Sequence, residues 1–201
     1  MIDPQSTSTL SDDEYIEKVI KINRVNKVVK GGKRLAFRAF CIVGDQNGKV
    51  GLALGKSKEV PLAIKQGIER AKKNLCEIIT IDGTLPHEVR GKFGSASVLI
   101  RPARKGTGVI AGGPVRVLLE AVGFQDVVAK SLGSDNPINI AKAALNGLLS
   151  LKNYEDECKI RGKKLPVVAY LKSAVNNVDK SKKNQPLKVK TIVNEDGSNE
   201  A

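Results

Sequence analysis

The chain of 201 residues has no tryptophan, one histidine, three cysteines and seven aromatic residues. Each shortage removes a class of function. Readers that stack single-stranded bases on aromatic platforms need more rings than this, so any nucleic-acid role is better served by recognition of phosphates and helix shape. One His and three cysteines far apart (Cys41, Cys76, Cys158) cannot supply a tetrahedral zinc site. The odd thiol count argues against a disulfide framework and for a reducing compartment. No apolar run approaches the roughly 20 residues that span a bilayer. The first thirteen residues carry Asp3, Asp12 and Asp13 and no base, so they lack the basic and apolar regions of a signal peptide. The expectation is a cytoplasmic protein with no membrane contact, no metal and no cofactor.

Acids are scarce as well. The chain has 21 Asp and Glu against 34 Lys and Arg, a net charge of +13, which points to a polyanionic partner. By segment the net charge is −3 over residues 1–13, +9 over 14–80, +4 over 81–152 and +3 over 153–201. These are the expected units: an acidic flexible tail, a basic domain, a second domain and a C-terminal extension.

The basic segment reads as strands followed by a helix. Lys18 to Val29 is rich in Val and Ile. From Leu35 to Val43 the odd positions are apolar, while Arg34 and Arg38 fall on the opposite, basic face. Lys30-Gly31-Gly32-Lys33 joins the two strands, and its glycines suit the positive φ of a primed hairpin turn. The tip is ringed by Lys27, Lys30, Lys33 and Arg34. After a second turn at Asp45 to Gly48, Val50, Leu52 and Leu54 form one face and Gly51, Ala53 and Gly55 leave the other almost bare. This predicts a three-stranded antiparallel meander. Ser57 then caps a helix with Pro61 in its first turn and Val60, Ile64, Ile68, Ala71 and Leu75 on its core face. Lys58, Lys65 and Lys72 form a stripe along another side. A lysine stripe alone is usually a solvated face, but this one belongs to a unit that also carries a basic hairpin tip and strand face. Strands leading into a helix start marked by Lys56 and Lys58 resemble a double-stranded-RNA-binding domain, in which such lysines meet phosphates across a groove.

Two glycine patterns invite a nucleotide reading. Gly51-Leu-Ala-Leu-Gly55-Lys56-Ser57 has three residues between its glycines where a phosphate-binding loop needs four. Gly106-Thr-Gly108-Val-Ile-Ala111 fits the relaxed dinucleotide pattern, with Asp126 near the expected ribose-binding position. Its context is wrong, because Pro102 to Lys105 separates it from the preceding strand and Pro114 places the helix start beyond it. The better reading of these glycines is a tight bend or a close approach to a partner.

The second segment is a two-layer α/β unit. Ser97 to Arg101 is a strand. Pro114 to Val122 is a helix with Val115, Leu118, Leu119 and Val122 inward and Gly123 past its end. Val127 to Leu132 is another strand, and Asp135 or Asn136 caps a last helix from Pro137 with Ile138, Ala141, Leu145 and Leu148 inward. His87 has no catalytic partner at a readable spacing.

Together these residues carry a family resemblance. Gly32-Lys33-Arg34 through Ala39, Val43-Gly44-Asp45 through Gly51, Gly55-Lys56-Ser57-Lys58-Glu59-Val60-Pro61, Pro102-Ala103 with Gly106 through Gly113, and Lys130 through Ser134 with Asn136-Pro137 are similar to the bacterial-type small-subunit ribosomal protein five family. The similarity runs in order from about Glu14 to Leu151. It implies an α+β protein: a double-stranded-RNA-binding-like domain, then a domain of three strands, helix, strand, helix with a left-handed crossover against the usual rule. It implies a place in the small ribosomal subunit, with partners in 16S-type rRNA and small-subunit proteins four and eight. In that family the glycine-tipped hairpin, here Asn26, Lys27, Lys30, Gly31 and Gly32, reaches rRNA where changes affect spectinomycin sensitivity. The face towards protein four, where changes alter translational accuracy, falls on Gly108 and Arg116, and Arg24 suits the messenger RNA entry channel.

The resemblance weakens after Leu151, although Arg161-Gly162-Lys163 still fits, and residues 172–201 read as a flexible extension. The rRNA-binding candidates are therefore Arg24, Asn26, Lys27, Lys30, Gly31, Gly32, Lys33, Arg34, Arg38, Lys56 and Lys58, and the expected role is structural, not enzymatic. A stand-alone regulator that binds duplex RNA would share the first domain and is the alternative.

Overall fold

The computed structural model describes residues 15–152 and 154–162. The expected acidic tail over 1–13 and the extension over 172–201 lie outside them. In chain order the elements are β1 (Ile16–Val29), β2 (Gly32–Gly44), β3 (Lys49–Ser57), α1 (Val60–Lys73), β4 (Leu75–Glu77), β5 (Val89–Phe93), β6 (Ala96–Pro102), β7 (Val109–Ile110), α2 (Gly113–Val122), β8 (Val127–Gly133), α3 (Pro137–Leu149) and α4 (Tyr154–Arg161). The chain is α+β. β1 to β4 form an antiparallel sheet in sequence order, and β5-β6-β8-β7 form a mixed sheet in which β7 and β8 are parallel and joined through α2.

The meander is there, with a short fourth strand. β1 and β2 meet across a two-residue loop, Lys30-Gly31, flanked by the pair Val29 and Gly32. Gly32, just past the loop, takes the positive φ of 136° and neither central residue does, so the turn is not of the primed type. At the second turn Asp45 Oδ1 accepts the N–H groups of Asn47 and Lys49 at 2.8 and 2.9 Å. This side-chain closure is why Asp serves there.

The bare face of β3 is where α1 lies. A Cβ on Gly55 would run into the Ala63 carbonyl, one on Gly51 into that of Ala71, and one on Gly67 would stand 2.7 Å from Cys41 Sγ. The helix face thus buries Ala63, Gly67 and Ala71 fully, with Ile64 and Ile68 half-buried beside them. Two boundary expectations fail here. Ser57 still pairs with Phe37 as the last residue of β3, and Glu59 occupies the N-cap position with no side-chain bond. Leu75 does not continue the helix, because α1 ends at Lys73 with Asn74 as C-cap, and Leu75 opens β4 opposite Gly51.

In the second sheet the residues expected inward on α2 are all buried, and Gly123 ends the helix in the left-handed region at φ 99°. Asn136, rather than Asp135, caps α3, accepting the Ile138 N–H at 3.2 Å. On α3, Ala141 and Leu148 are buried as expected, whereas Ile138 and Leu145 are half-buried and Ile140, Ala143, Ala144 and Gly147 complete the buried face. Gly91 and Gly147 let β5 and α3 touch backbone to backbone.

The two sheets share one core. Ile42 and Val50 from the first, with Ile78 just past β4, join Val98 and Ile100 from the second and Leu118, Leu119 and Val122 of α2. β2 therefore departs from its expected half-buried form: residues 39 to 44 are buried on both faces, and only the distal part, 32 to 35, is exposed. The turn after β2 also completes α2. Gln46 N–H donates to the Ala121 carbonyl at 3.1 Å and Gly48 N–H to that of Val122 at 3.0 Å, satisfying carbonyls the helix end leaves open.

Candidate nucleic-acid interface

Strand register sorts the candidate residues onto faces, since residues directly opposite in an antiparallel pair share a face. Lys27 pairs with Arg34, Asn23 with Arg38, and Arg38 with Lys56. These lie on the sheet face opposite α1. Lys21, paired with Phe40, belongs to it as well. Arg24, opposite Phe37, and Asn26, opposite Leu35, fall on the helix side. Lys30 and Gly31 form the tip, with Gly32 and Lys33 just behind it. Lys58 stands in the exposed link between β3 and α1. The hairpin thus carries bases on both faces and at its end, with Arg38 and Lys56 forming the one cross-strand cationic row on β2 and β3.

The electrostatics are one-sided. Among the described residues, Lys27, Lys30, Lys33, Arg34, Arg38, Lys56 and Lys58 form no ion pair. Arg38 lines a small cavity with Lys21, Asn23 and the start of α3 at Asn136 to Ile138. Its Nε is shielded from solvent and has no hydrogen-bond partner. Parity along β2 alone does not reach Lys21 and Asn23, which share the face of Arg38 on β1. Following the same alternation back across the hairpin finds them.

The lysine stripe on α1 is different. Lys72 pairs with Glu17 at 3.2 Å and sits 5.8 Å from the Tyr15 ring centre. Together with Lys65, Glu69 and Glu17 it edges a groove floored by Ile64 and Ile68. Acids alternate with the bases there, so the stripe is not a continuous cationic surface.

Gly108 and Arg116 lie in the other sheet's unit. Gly108, at φ 76°, precedes β7, and its N–H donates to Asp126 Oδ1 at 2.9 Å. The buried Asp126 also accepts Thr84 Oγ1–H on its carbonyl at 2.7 Å. The acid that mimicked a ribose ligand is a loop clamp, and the glycines lead into a strand instead of a helix. Arg116 is exposed on α2 and bonded to Glu120 Oε1 at 2.9 Å. Glu120 Oε2 takes Lys18 of β1 at 2.6 Å. Hydrogen bonds from Lys18 first and Arg116 second hold the Glu120 carboxyl below the usual range. His87 is likewise structural. Its Nε2 accepts the Lys152 N–H at 3.2 Å, so Nδ1 carries the proton and donates to the Glu88 carbonyl at 2.9 Å. No group of His, Cys, Asp and Glu among the described residues could hold a metal ion. No helix among them is long and apolar enough to cross a membrane.

Residues 15–79 match the family model for the ribosomal protein S5 N-terminal domain, and residues 91–161 match that for its C-terminal domain. The chain belongs to the ribosomal protein S5 family. It is 51% identical over 152 residues to the small ribosomal subunit protein uS5 of Syntrophobacter fumaroxidans, covering 76% of this chain and 92% of that one. The S5 N-terminal match takes in β1 to β4 and α1, and with them all eleven candidate RNA-binding residues. The C-terminal match takes in Gly108 and Arg116. Thr84, Leu85 and His87, between the two matched segments, belong to the structural join.

Proposed function

We propose that this chain is a structural constituent of the small ribosomal subunit, binding rRNA through the β1–β2 hairpin and the basic face of β2 and β3. The carrying observation is the set of seven bases on or beside the first sheet that no acid among the described residues pairs with. Cations left unpaired at a projecting hairpin suit phosphate contacts that release condensed counterions. The role needs no covalent chemistry. In this reading residues 14–80 are the RNA-binding domain and 81–152 the protein-contacting domain. Gly108 and Arg116 face small-subunit protein four, protein eight is a second neighbour, and Arg24 lies towards the messenger RNA entry channel. Family membership supports the ribosomal role, and the individual neighbours extend it.

The test is Lys30→Glu with Lys33→Glu. Binding of the full chain to 16S-type rRNA should weaken, and the slope of log affinity against log salt should fall by about 1.5–2 for two lost phosphate contacts. Co-sedimentation with small subunits should drop in parallel. An unchanged salt slope with normal incorporation and spectinomycin response would remove the hairpin from the RNA interface.

A further inference from the structure

The basic face of the first sheet meets the C-terminal unit at its inner end. From the tip inward, register sets Lys27 beside Arg34, then Asn23, Arg38 and Lys56 in one row, then Lys21, Phe40 and Leu54, then Ile42 and Leu52. Ile42 is already buried in the shared core. Where the cover begins lies a cavity of about 30 Å³, lined by the Phe40–Leu54 row and, from the C-terminal unit, by the start of α3 at Asn136 to Ile138. Lys21, Asn23 and Arg38 complete its wall. No acid lines it, and neither Lys21 nor Arg38 pairs with a described acid. Arg38 Nε is the one side-chain nitrogen or oxygen among the described residues that is buried without a hydrogen-bond partner.

Buried donors are nearly always satisfied, so this N–H calls for an acceptor from outside the chain. The lining selects its charge. Two cations and no acid draw an anion, and the 13-residue α3 adds the positive end of its dipole. The volume selects its size, since about 30 Å³ admits one oxygen-sized atom and excludes a base or a sugar. We propose that the cavity takes an oxygen of an RNA backbone phosphate, held by Lys21 and Arg38 from the first sheet and by Asn136 at the start of α3. A guanidinium edge matches phosphate geometry. Asn136 Oδ1 already accepts the Ile138 N–H at 3.2 Å, so its Nδ2 is the group left to donate. The inference rests on the proposed ribosomal role and extends it: RNA runs from the hairpin tip along the sheet face and onto the C-terminal unit, which thereby does more than contact proteins.

The test is Asn136→Asp in the full chain. Asp caps a helix as well as Asn does, so melting should match the parent, while a carboxylate now opposes the phosphate. Affinity for 16S-type rRNA should fall by about tenfold or more, and the slope of log affinity against log salt by about 1, the share of one phosphate. Lys21→Gln, at an exposed position, should weaken the parent but cost much less in the Asn136→Asp background, because both act on one phosphate. Calorimetric titration with inorganic phosphate separates the sources. Saturable phosphate binding that Asn136→Asp abolishes, with rRNA affinity unchanged, would leave a free-anion site and overturn the RNA contact. Neither phosphate binding nor any change in rRNA affinity would leave a water-filled cavity and overturn it equally. If Lys30→Glu with Lys33→Glu weakens rRNA binding and these variants do not, only this site falls; if the parent binds no rRNA, the ribosomal reading fails and the inference with it.

Discussion

Replacing Gly44 by alanine probes the joint between the two sheets. Gly44 ends β2 with its open side against α2, and a Cβ there would stand 2.7 Å from the Ala121 carbonyl carbon and closer still to its oxygen. The obstacle is backbone, so no side-chain rotation relieves it. The end of α2 would have to move away from the β2–β3 turn, and that movement breaks the bonds from Gln46 to Ala121 and from Gly48 to Val122. Overpacking of this kind costs about 1–3 kcal/mol, and each lost hydrogen bond adds roughly 0.5–1.5. The expected loss is about 3–5 kcal/mol, a large fraction of the stability of an ordinary domain. For a chain of this length it corresponds to a fall of roughly 10–15 °C in Tm. Urea titration and thermal melting of the full chain would measure it. Gly31→Ala is the control, since Gly31 has nothing within 4 Å of a Cβ and no positive φ, and it should stay within about 0.5 kcal/mol of the parent. A loss below about 1 kcal/mol for Gly44→Ala would show that α2 yields freely at this joint and would refute the reasoning.

Asp126→Ala should remove the acceptor for Gly108 N–H and cost about 1–3 kcal/mol. Isothermal titration with ATP and NAD should show no binding before or after the change, and micromolar binding lost in the variant would revive the nucleotide reading. Glu120 gives a pH dependence of known sign. Its folded carboxyl is depressed by Lys18 and Arg116, so its contribution is fully present above the unfolded carboxyl range and is lost as pH falls through the lower folded value. Part-exposed pairs of this sort are worth about 0.2–1 kcal/mol each. Glu120→Gln should therefore lower stability at pH 7 and reduce its decline on acidification, and a variant with the parent's full acid decline would contradict this.

Much of the fold is legible where the signal is local. Pro114 and Gly123 bracket α2, and its apolar spacing names the buried side chains. Parity along β2 puts Arg34 and Arg38 on one face, and the register then brings Lys56 beside Arg38. What escapes the sequence depends on distant segments. From Ala39 to Val43 the run is apolar without a break, so burial of both faces can be read from it, but that α2 supplies the outer cover cannot. Helical periodicity runs on through Leu75 because the capping role of Asn74 leaves no apolar gap. The Lys58-Lys65-Lys72 spacing is real, but Glu17 comes from β1, far from the helix in sequence, and converts one end of the stripe into a bracket.

The double burial of proximal β2 bears on how the hairpin acts. Its distal part, beyond Phe37, has no core of its own, since residues 30–35 are exposed, and Val28 is 73% exposed. Two strands alone hold a position poorly in water. Here they continue into a segment clamped on one side by α1 and on the other by α2, with Lys18 bonded to Glu120 at the root. The stiffness of the basic tip is therefore supplied from its base, by packing that includes the C-terminal unit. A change that loosens the joint, such as Gly44→Ala, should weaken RNA binding at the tip without removing a single charge. A change at the tip, such as Lys30→Glu, should leave the melting of the joint untouched. That asymmetry separates a rigid arm from a freely hinged one, because in a hinged arm neither site would report on the other.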